Sequence, residues 1–376
     1  MSYILVGILV FLSFWKPRNK SVFFLITIFL IVLCGLNTVN PDYKAYRLAY
    51  MNPYKQVTSI REPLFIFLYR FFYKLSVGYQ WVNLFIAIIA VSIMQYSIFS
   101  LSPYPNIVSV LFLIYPFTVC VVQIRSYISL SFVMLGITLY LEFRADKKKA
   151  MFLLLLFIMV ATLFHYSAII YSIVFIAVHE KVLARVSYVL TFMIAGFMVI
   201  LNANAIVSIV KKFVDDMKIK IYIMRPFVES SNHALSINSV LYIFLSRFAI
   251  IFICLVYMYA RRVHVETIEE AMYIDDNRIL FRIALYSTVA SVLLEIGVST
   301  VYARISRLPL VLSYIMISRC IYRTKESKIG LWFVSIGYTL TNAFVSFFTQ
   351  GTILNSKALN QFDGVFRAVL ENNLIF

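Results

Sequence analysis

Residues 152–178 read FLLLLFIMVATLFHYSAIIYSIVFIAV, a run of twenty-seven positions without Lys, Arg, Asp or Glu. A helix of about 20 apolar residues crosses roughly 30 Å of lipid hydrocarbon. Basic segments flank this stretch on both sides, at 144–149 and 179–185. Because basic loops gather on the cytoplasmic side of a membrane, the stretch predicts two short helices that turn on the opposite side, at His165.

The rest of the chain has the same apolar character. Of its 376 residues, 62% are hydrophobic and 14% are charged, and the mean hydropathy is +0.88. Soluble domains are much more polar, so we expect an all-α polytopic membrane protein with about 12 transmembrane helices. The predicted spans are 2–15, 21–37, 79–101, 104–122, 126–143, 150–164, 166–178, 185–202, 238–260, 279–296, 301–318 and 329–348.

The loops predict the orientation. Four short loops, 16–20, 144–149, 179–185 and 319–328, carry 13 Lys or Arg and fall on one side of the twelve-span arrangement. That side is expected to be the cytoplasmic one. The acidic and basic loop 261–278 is then also inside.

Two longer segments, 38–78 and 203–237, are expected outside, within a single integral membrane domain over residues 1–376. In the first of them, residues 63–77 are apolar except for Arg70 and Lys74. Two cations facing lipid are costly, so this part predicts an interfacial or re-entrant helix.

Several function classes are disfavoured. The net charge of +17 lies in loops rather than on a basic helix, and no nucleic-acid partner is expected. The four cysteines show no CxxC or Cys/His ligand spacing, and the chain lacks a P-loop, a Gly-rich dinucleotide turn, an Asp-x-Asp and an HExxH motif. No metal and no cofactor are therefore expected.

The unusual ionisable residues all fall on the predicted outer side. His165 occupies the turn of the opening stretch, and Arg125 begins the span 126–143 after almost no loop. Each has a simpler interpretation, because His165 can cap its turn and Arg125 can reach lipid phosphates. Arg304 and Arg307 are three residues apart on one helical face, and Pro309 is expected to bend that helix. The first external loop contributes Asp42, Arg61 and Glu62.

These residues lie in segments that resemble a known family. NPDYKAYRLAY, REPLFIFLYRFF, QIRSYISLSFVMLGITLYL and ATLFHYSAIIY occur in this order over residues 37–175. They are similar to the EpsG family of Wzy-type polysaccharide polymerases, which shows N-D-x-x-x-Y, I-R-Q-x-I/L-A and F-H-x-S-A elements. ARISRLPLVL is similar to its later R-x-x-x-Y element. Two positions depart from the pattern, Ser126, where the family usually carries Gln, and Arg307 or Leu308, where it tends to have an aromatic residue.

The resemblance implies a GT-C-like glycosyltransferase in the bacterial cytoplasmic membrane, active at its outer face in capsule or exopolysaccharide synthesis. Donor and acceptor would be oligosaccharide repeat units linked to undecaprenyl pyrophosphate. Other implied partners are membrane lipid and a chain-length regulator. The growing glycan would move to the non-reducing end of a new repeat unit, with a pyrophosphate as the leaving group.

Arginines stabilise such a leaving group with bidentate hydrogen bonds. Arg125 and Arg304 are the first choices for the pyrophosphate, followed by Arg307 and Arg61. A base must accept the proton of the attacking hydroxyl. His165 ranks first and Glu62 second, each with a structural role as the alternative, and Asp42 is a third candidate that could instead orient Arg61 or bind sugar hydroxyls.

Aromatic residues supply a glycan-binding surface. Tyr43, Tyr46 and Tyr50 recur at i, i+3 and i+7, which places them on one face if the segment is helical. They are predicted to bind glycan, with packing against the helical bundle as the alternative.

Two other classes stay open. A lipid-linked oligosaccharide flippase or other transporter would also have about twelve spans, although matched halves and Gly- or Pro-broken helices, typical of transporters, are not visible in the sequence. A membrane acyltransferase could use His165 as its base, but it leaves the arginines without a role.

Overall fold

The computed structural model describes residues 2–38, 42–54, 62–178, 268–297 and 304–323, together with positions 333, 336, 337, 339 and 340. Over these residues the regular structure is helical and no strand occurs. The described α-helices are α1 (Ser2–Trp15), α2 (Lys20–Gly35), α3 (Tyr43–Met51), α4 (Pro63–Lys74), α5 (Tyr79–Leu101), α6 (Pro105–Ile114), α7 (Phe117–Val122), α8 (Ile124–Glu142), α9 (Lys147–Phe164), α10 (Ile173–Val178), α11 (Ile268–Gly297) and α12 (Arg307–Arg323).

Two of these helices, α5 and α8, are long and apolar enough to cross a membrane. They contain 23 and 19 residues, which corresponds to about 34 Å and about 28 Å at 1.5 Å per residue. Helices α1, α2 and α6 and the segment Tyr166–Val178 are shorter apolar helices. The prediction of an all-helical membrane protein is confirmed, and α5 has the predicted bounds of the span 79–101.

The chain divides into two compact units. The first comprises Met1–Ala168 with Ile317–Phe376, and the second comprises Ile169–Met316. In the first unit α8 packs along both α9 and α5, and α2 also packs along α5. In the second unit α10 packs against α11. The single domain over 1–376 stays a prediction.

Two glycines permit close helix packing in the first unit. A Cβ atom on Gly35 would lie 2.9 Å from the Cα atom of Leu84, and one on Gly136 would lie 3.2 Å from the Cβ atom of Phe157. At these two positions no side chain separates α2 from α5 or α8 from α9. Polar contacts reinforce both pairs, because Asn83 donates to the Gly35 carbonyl at 2.9 Å and Ser129 donates to the Ala161 carbonyl at 2.9 Å.

One predicted span is wrong as a single helix. The segment 104–122 forms two helices, since α6 ends at Ile114 and α7 begins at Phe117. Pro116 lies between them. Proline has no N–H to donate and disfavours helical geometry in the residue before it, so the helix ends there.

Three further boundaries differ from prediction. Tyr166–Ser172 is a 3-10 helix, so only the end of the span 166–178 is α-helical. Helix α11 covers 30 residues from Ile268, which makes part of the predicted loop 261–278 helical.

The third difference concerns the span 301–318. Residues 304–306 form a 3-10 turn and α12 begins at Arg307. Arg304 thus precedes the α-helix rather than sharing a face of it with Arg307. Pro309 lies in the first turn of α12, where N–H groups have no intrahelical partner and proline breaks no bond. The spans 185–202 and 238–260 and the loop 203–237 lie outside the described residues.

One end of the first unit is held together around Arg18, and we call it the Arg18 end. The guanidinium lies 5.0 Å from the ring centre of Tyr104 and 4.6 Å from that of Tyr322, and its Nε donates to the Pro103 carbonyl at 3.2 Å. The hydroxyls of Ser102 and Ser318 are 2.6 Å apart. The loop before α2 therefore meets the last turn of α12, which agrees with the prediction that the basic loops 16–20 and 319–328 lie on one side.

Candidate functional site

A carboxylate, a guanidinium and an imidazole meet at the opposite end of the helices of the first unit, which we call the Glu62 end. Glu62 Oε2 accepts a hydrogen bond from Arg125 Nη1 at 2.7 Å. Its other oxygen, Oε1, lies 2.9 Å from His165 Nδ1. Glu62 itself is only 4% exposed. Arg125 and His165, which come from distant segments, thus share one buried anion, the Glu62 carboxylate.

Glu62 is placed by the start of α4. It is extended, with φ −68° and ψ 121°, and Pro63 takes the first helical position, where its fixed φ suits the helix and its missing N–H is no loss. The Glu62 carbonyl accepts the amide of Ile66 at 3.0 Å. Its side chain does not cap α4. The carboxylate is therefore directed to α8 and α9 instead of to its own helix.

Arg125 is the second residue of α8. The short helix α7 follows the break at Pro116 and is capped by Gln123. Helix α8 begins at the next residue, Ile124. Arg125 Nε donates to the Tyr46 hydroxyl at 3.4 Å, and its guanidinium lies 5.3 Å from the centre of the Tyr46 ring. Its side chain is 16% exposed. Among the described residues Nη2 has no hydrogen-bond partner, so it can donate to an anion.

His165 terminates α9. Its backbone is extended, with φ −157° and ψ 116°, while its amide still donates to the Ala161 carbonyl at 2.9 Å. Its own carbonyl accepts the amide of Ala168 at 2.9 Å, which begins the 3-10 helix Tyr166–Ser172. The ring is 12% exposed. The predicted end of the span 150–164 at this position is confirmed, a tight external turn stays a prediction, and the ring lies against Glu62.

The partners of Glu62 determine its charge. Burial alone would raise the pKa of its carboxyl, but the hydrogen bond from His165 and the charge of Arg125 outweigh burial and lower that pKa from 4.5 to about 2. The carboxylate is ionised at neutral pH and accepts hydrogen bonds only. With so low a pKa it is a poor general base, which argues against its predicted second rank for that role.

The predicted glycan-binding tyrosines lie on α3, which confirms the helical periodicity. Tyr43 donates to Gln80 Oε1 at 3.0 Å, and the Tyr50 hydroxyl donates to the Val77 carbonyl. Tyr46 contacts Arg125 as described. All three therefore pack within the protein, and Tyr46 and Tyr50 are buried. The alternative in which these tyrosines pack against the bundle fits this placement, and glycan binding stays a prediction.

The other predicted site residues are described separately from the Glu62–Arg125–His165 cluster. Asp42 precedes α3 and does not cap it with its side chain. Arg61 lies outside the described residues. Arg304 and Arg307 belong to the second unit, where the Arg304 carbonyl lies 3.5 Å from the Tyr171 hydroxyl and Arg307 is buried. A pocket common to Arg125, His165 and Arg304 stays a prediction.

One residue near the cluster was not anticipated. Tyr69 of α4 is buried and packs against the rings of Phe65, Tyr50 and Tyr79, with centres 4.7, 5.4 and 6.3 Å away. It is close enough to Tyr46 and Arg125 to interact electrostatically with both. Its signal in the sequence is the apolar i, i+4 spacing of Phe65 and Tyr69, which defines the buried face of α4.

The structure gives no indication of a metal site in the part of the chain that it describes. Over the described residues no group of three His, Cys, Asp or Glu side chains could hold a metal ion. Both oxygens of Glu62 already have cationic or N–H partners.

The comparisons with known proteins identify the family of this chain. The family described as "EpsG family" matches residues 20–360, which include α2 to α12 and all three members of the cluster. No curated protein and no solved structure matches the chain. The match extends well beyond the similarity at residues 37–175 and covers most of the chain. This chain is a membrane protein of polysaccharide biosynthesis and belongs to the EpsG family.

Proposed function

We propose that the protein is a glycosyltransferase that polymerises oligosaccharide repeat units carried on undecaprenyl pyrophosphate. The observation that carries this proposal is the cluster at the Glu62 end, where a guanidinium and an imidazole flank one buried carboxylate. Family membership supports a role in polysaccharide synthesis. The cluster supplies the two chemical functions that transfer from a pyrophosphate requires.

The first function is stabilisation of the leaving group. When the anomeric carbon–oxygen bond of the donor breaks, both electrons stay on the undecaprenyl pyrophosphate, which gains negative charge. Arg125 is held by Glu62 and Tyr46, so its free Nη2 is pre-oriented. Preorganised donors with little water around them stabilise developing charge more strongly than donors in bulk water. Arg304, Arg307 and Arg61 are proposed as further pyrophosphate ligands.

The second function is removal of the proton from the acceptor. A hydroxyl at the non-reducing end of the new repeat unit attacks the anomeric carbon, and its proton passes to a base. His165 is the proposed base because its neutral ring accepts a proton near neutral pH. The ionised carboxylate of Glu62 is engaged on both oxygens, and Asp42 stays the third candidate for the base. No metal enters the reaction as proposed.

The proposal also includes the membrane location and the partners of the chain. The chain would lie in the bacterial cytoplasmic membrane with the Glu62 end facing outward and with a GT-C-like arrangement of about 12 helices. Helix α4 would lie at the membrane surface, since Phe67 and Phe71 are exposed on it beside Arg70 and Lys74. The donor and acceptor repeat units, membrane lipid and a chain-length regulator are the proposed partners, and capsule or exopolysaccharide is the product class.

An assay with purified protein tests the proposal. Liposomes containing the protein receive undecaprenyl-pyrophosphate-linked repeat units extracted from a strain of the source organism that lacks this chain. A ladder of longer lipid-linked glycans is expected without nucleotide sugar, with no ion gradient, and in the presence of EDTA. Protein-free liposomes are the control.

The same assay separates the alternatives. A flippase would move the labelled lipid-linked repeat unit between leaflets and leave its length unchanged. An acyltransferase would modify the glycan only when an acyl donor is added. Either result, without a ladder, would contradict the polymerase.

A further inference from the structure

The geometry around Glu62 determines which nitrogen of His165 carries a hydrogen. Glu62 uses one oxygen for Arg125 Nη1 and the other for His165 Nδ1, at 2.7 and 2.9 Å. A carboxylate has no hydrogen to donate. The hydrogen in the contact with His165 must therefore come from Nδ1, and in the neutral ring the lone pair is then on Nε2.

We propose that Glu62 is a positioning residue, which holds His165 in the Nδ1–H tautomer so that Nε2 is the basic atom and at the same time holds Arg125 beside it. The catalytic part of this inference rests on the polymerase proposed above. In the transfer step the acceptor O–H bond breaks and its proton goes to Nε2. The oxygen forms the new glycosidic bond as the anomeric carbon–pyrophosphate bond breaks.

The imidazolium formed in this step is stabilised by the same contact. Glu62 is negatively charged, and its pKa of about 2 keeps it ionised throughout the neutral range. Protonation of Nε2 therefore creates an imidazolium cation that is in direct contact with the Glu62 carboxylate. When the pyrophosphate has left, the imidazolium returns its proton to water or to the pyrophosphate.

The groups near His165 come from three neighbouring elements. Glu62 at the start of α4 is in direct contact, and Arg125 of α8 is bridged through the same carboxylate. The Tyr46 phenol on α3 contacts Arg125, and the Tyr69 phenol on α4 interacts with Tyr46 and Arg125. Among these charged and titratable groups of the described residues, Glu62 is the one that supplies negative charge at neutral pH.

Replacement of the carboxylate by an amide gives a direct test. In Glu62→Gln the amide oxygen is expected to accept from Arg125, because a hydrogen bond from a charged donor is the stronger one. The amide nitrogen then faces His165 and donates to Nδ1, which moves the ring hydrogen to Nε2. The base is lost while the shape of the side chain is retained.

Nitrogen NMR of protein labelled with 15N-histidine measures the tautomer without any assay of activity. The chain has four histidines, and the signal missing in His165→Asn assigns the residue. Above the pH at which the ring loses its charge, the hydrogen is expected on Nδ1 in the wild type and on Nε2 in Glu62→Gln. A wild-type ring with the hydrogen on Nε2, or an unchanged tautomer in Glu62→Gln, would overturn the proposal.

Kinetics provides the second readout. In the ladder assay Glu62→Gln is expected to lower kcat by at least about 100-fold, as loss of the correct histidine tautomer does in other enzymes. The acid limb of its residual pH–rate profile should move to lower pH, since the anion that favours the imidazolium is gone. Glu62→Asp keeps the carboxylate, so the acid limb of its pH–rate profile should stay near the wild-type position even if the rate falls.

Arg18→Gln, at the other end of the first unit, is the matched control and should leave both readouts unchanged. Unfolding temperature and membrane abundance must be measured for every variant. If the acid limb of the pH–rate profile does not move in Glu62→Gln, the positioning role of Glu62 is contradicted. Absence of a ladder from the wild type contradicts the polymerase instead, and the NMR result on the tautomer then stands by itself.

Discussion

The two ends of the first unit each contain an arginine, and the two arginines have different surroundings. Arg18 is exposed and is held by the faces of Tyr104 and Tyr322 and by a backbone carbonyl. Arg125 is 16% exposed and shares a buried carboxylate with an imidazole. Stacking on rings leaves a guanidinium hydrated and costs little desolvation, whereas a buried ion pair must offset a penalty of several kcal/mol.

The difference separates an arginine that joins loops from one that is suited to chemistry. A buried ion pair is weak evidence for stability, since apolar residues would often stabilise the protein equally well. Perturbed ionisable groups instead concentrate at functional sites. Function is therefore expected to depend on Arg125, whereas a change at Arg18 is expected to affect stability alone, and the variants below test that division.

The largest effect is expected from Arg125→Lys. Lysine keeps the charge but cannot contact Glu62, Tyr46 and a phosphate in the planar geometry of a guanidinium. Glycan polymerisation in the ladder assay should fall by about 10²–10³-fold, which is the cost of removing one preorganised donor. Arg18→Lys is the matched control and should retain near wild-type turnover per folded molecule. Equal losses in both variants would contradict the division.

The next effect is acid sensitivity. The pKa of Glu62 is about 2 in the folded protein and 4.5 ordinarily, so the native state holds this group ionised at a pH where the unfolded chain protonates it. Its contribution to stability is present above pH 4.5 and is lost as the pH falls toward 2. The loss is on the order of 3 kcal/mol. Thermal unfolding of the detergent-solubilised protein should show it.

Glu62→Gln provides the reference for that measurement. Its stability should be lower at neutral pH and should depend less on pH between 4.5 and 2 than that of the wild type. Parallel curves of unfolding temperature against pH for the two proteins would show that the acid sensitivity comes from other carboxyl groups.

A packing variant affects both ends together. Gly35→Ala places a Cβ atom 2.9 Å from the Leu84 backbone, and overpacking of this kind costs about 1–3 kcal/mol. Membrane abundance and unfolding temperature should fall, while activity per folded molecule stays near that of the wild type. Gly7→Ala is the control, since nothing lies within 4 Å of its added methyl. A selective loss of turnover in Gly35→Ala would mean that helix packing controls the Glu62 end.

A smaller effect is expected from Tyr46→Phe. This change removes the hydroxyl that accepts from Arg125 Nε at 3.4 Å but keeps the ring beside the guanidinium. Since the contact is long, kcat/KM should fall by less than about tenfold. Tyr43→Phe removes a hydroxyl that contacts Gln80 and should not change turnover. A raised KM for lipid-linked repeat units in Tyr43→Phe would instead support the predicted glycan-binding role.

The smallest effect is expected from Arg18→Gln. Each stacking contact with an exposed ring contributes about 0.5–1 kcal/mol, so the unfolding temperature should fall by a few degrees. Polymerisation should be unchanged once abundance is taken into account. A loss of turnover without a loss of stability would assign a functional role to the Arg18 end as well.

The sequence was sufficient for the class of fold and for the members of the cluster, but not for their contacts. Long apolar runs and basic loops predict α5 closely and α9, the helix before His165, within a few residues. Hydropathy does not register a proline in an apolar run, so the break at Pro116 was missed. It also does not reveal that α11 continues into a charged segment from Ile268.

Glu62, Arg125 and His165 were each recognised as unusual charges on one predicted side. Their mutual contacts depend on the packing of α4, α8 and α9, which local patterns do not encode. The sequence ranks Glu62 second to His165 as the base, with a structural role as the alternative, and in the proposal its two hydrogen bonds make it an orienting anion. The pairing with Tyr46 was missed because tyrosines near a predicted membrane surface were interpreted as glycan ligands.

The spacing of the cluster along the chain has a consequence for biosynthesis. Glu62 is synthesised 63 residues before Arg125 and 103 residues before His165. A lone carboxylate that entered the protein interior would be strongly destabilised until its counter-charge arrived. We therefore expect α4 to dock only after α8 and α9 have inserted, and chains that end before His165 should lack the complete cluster.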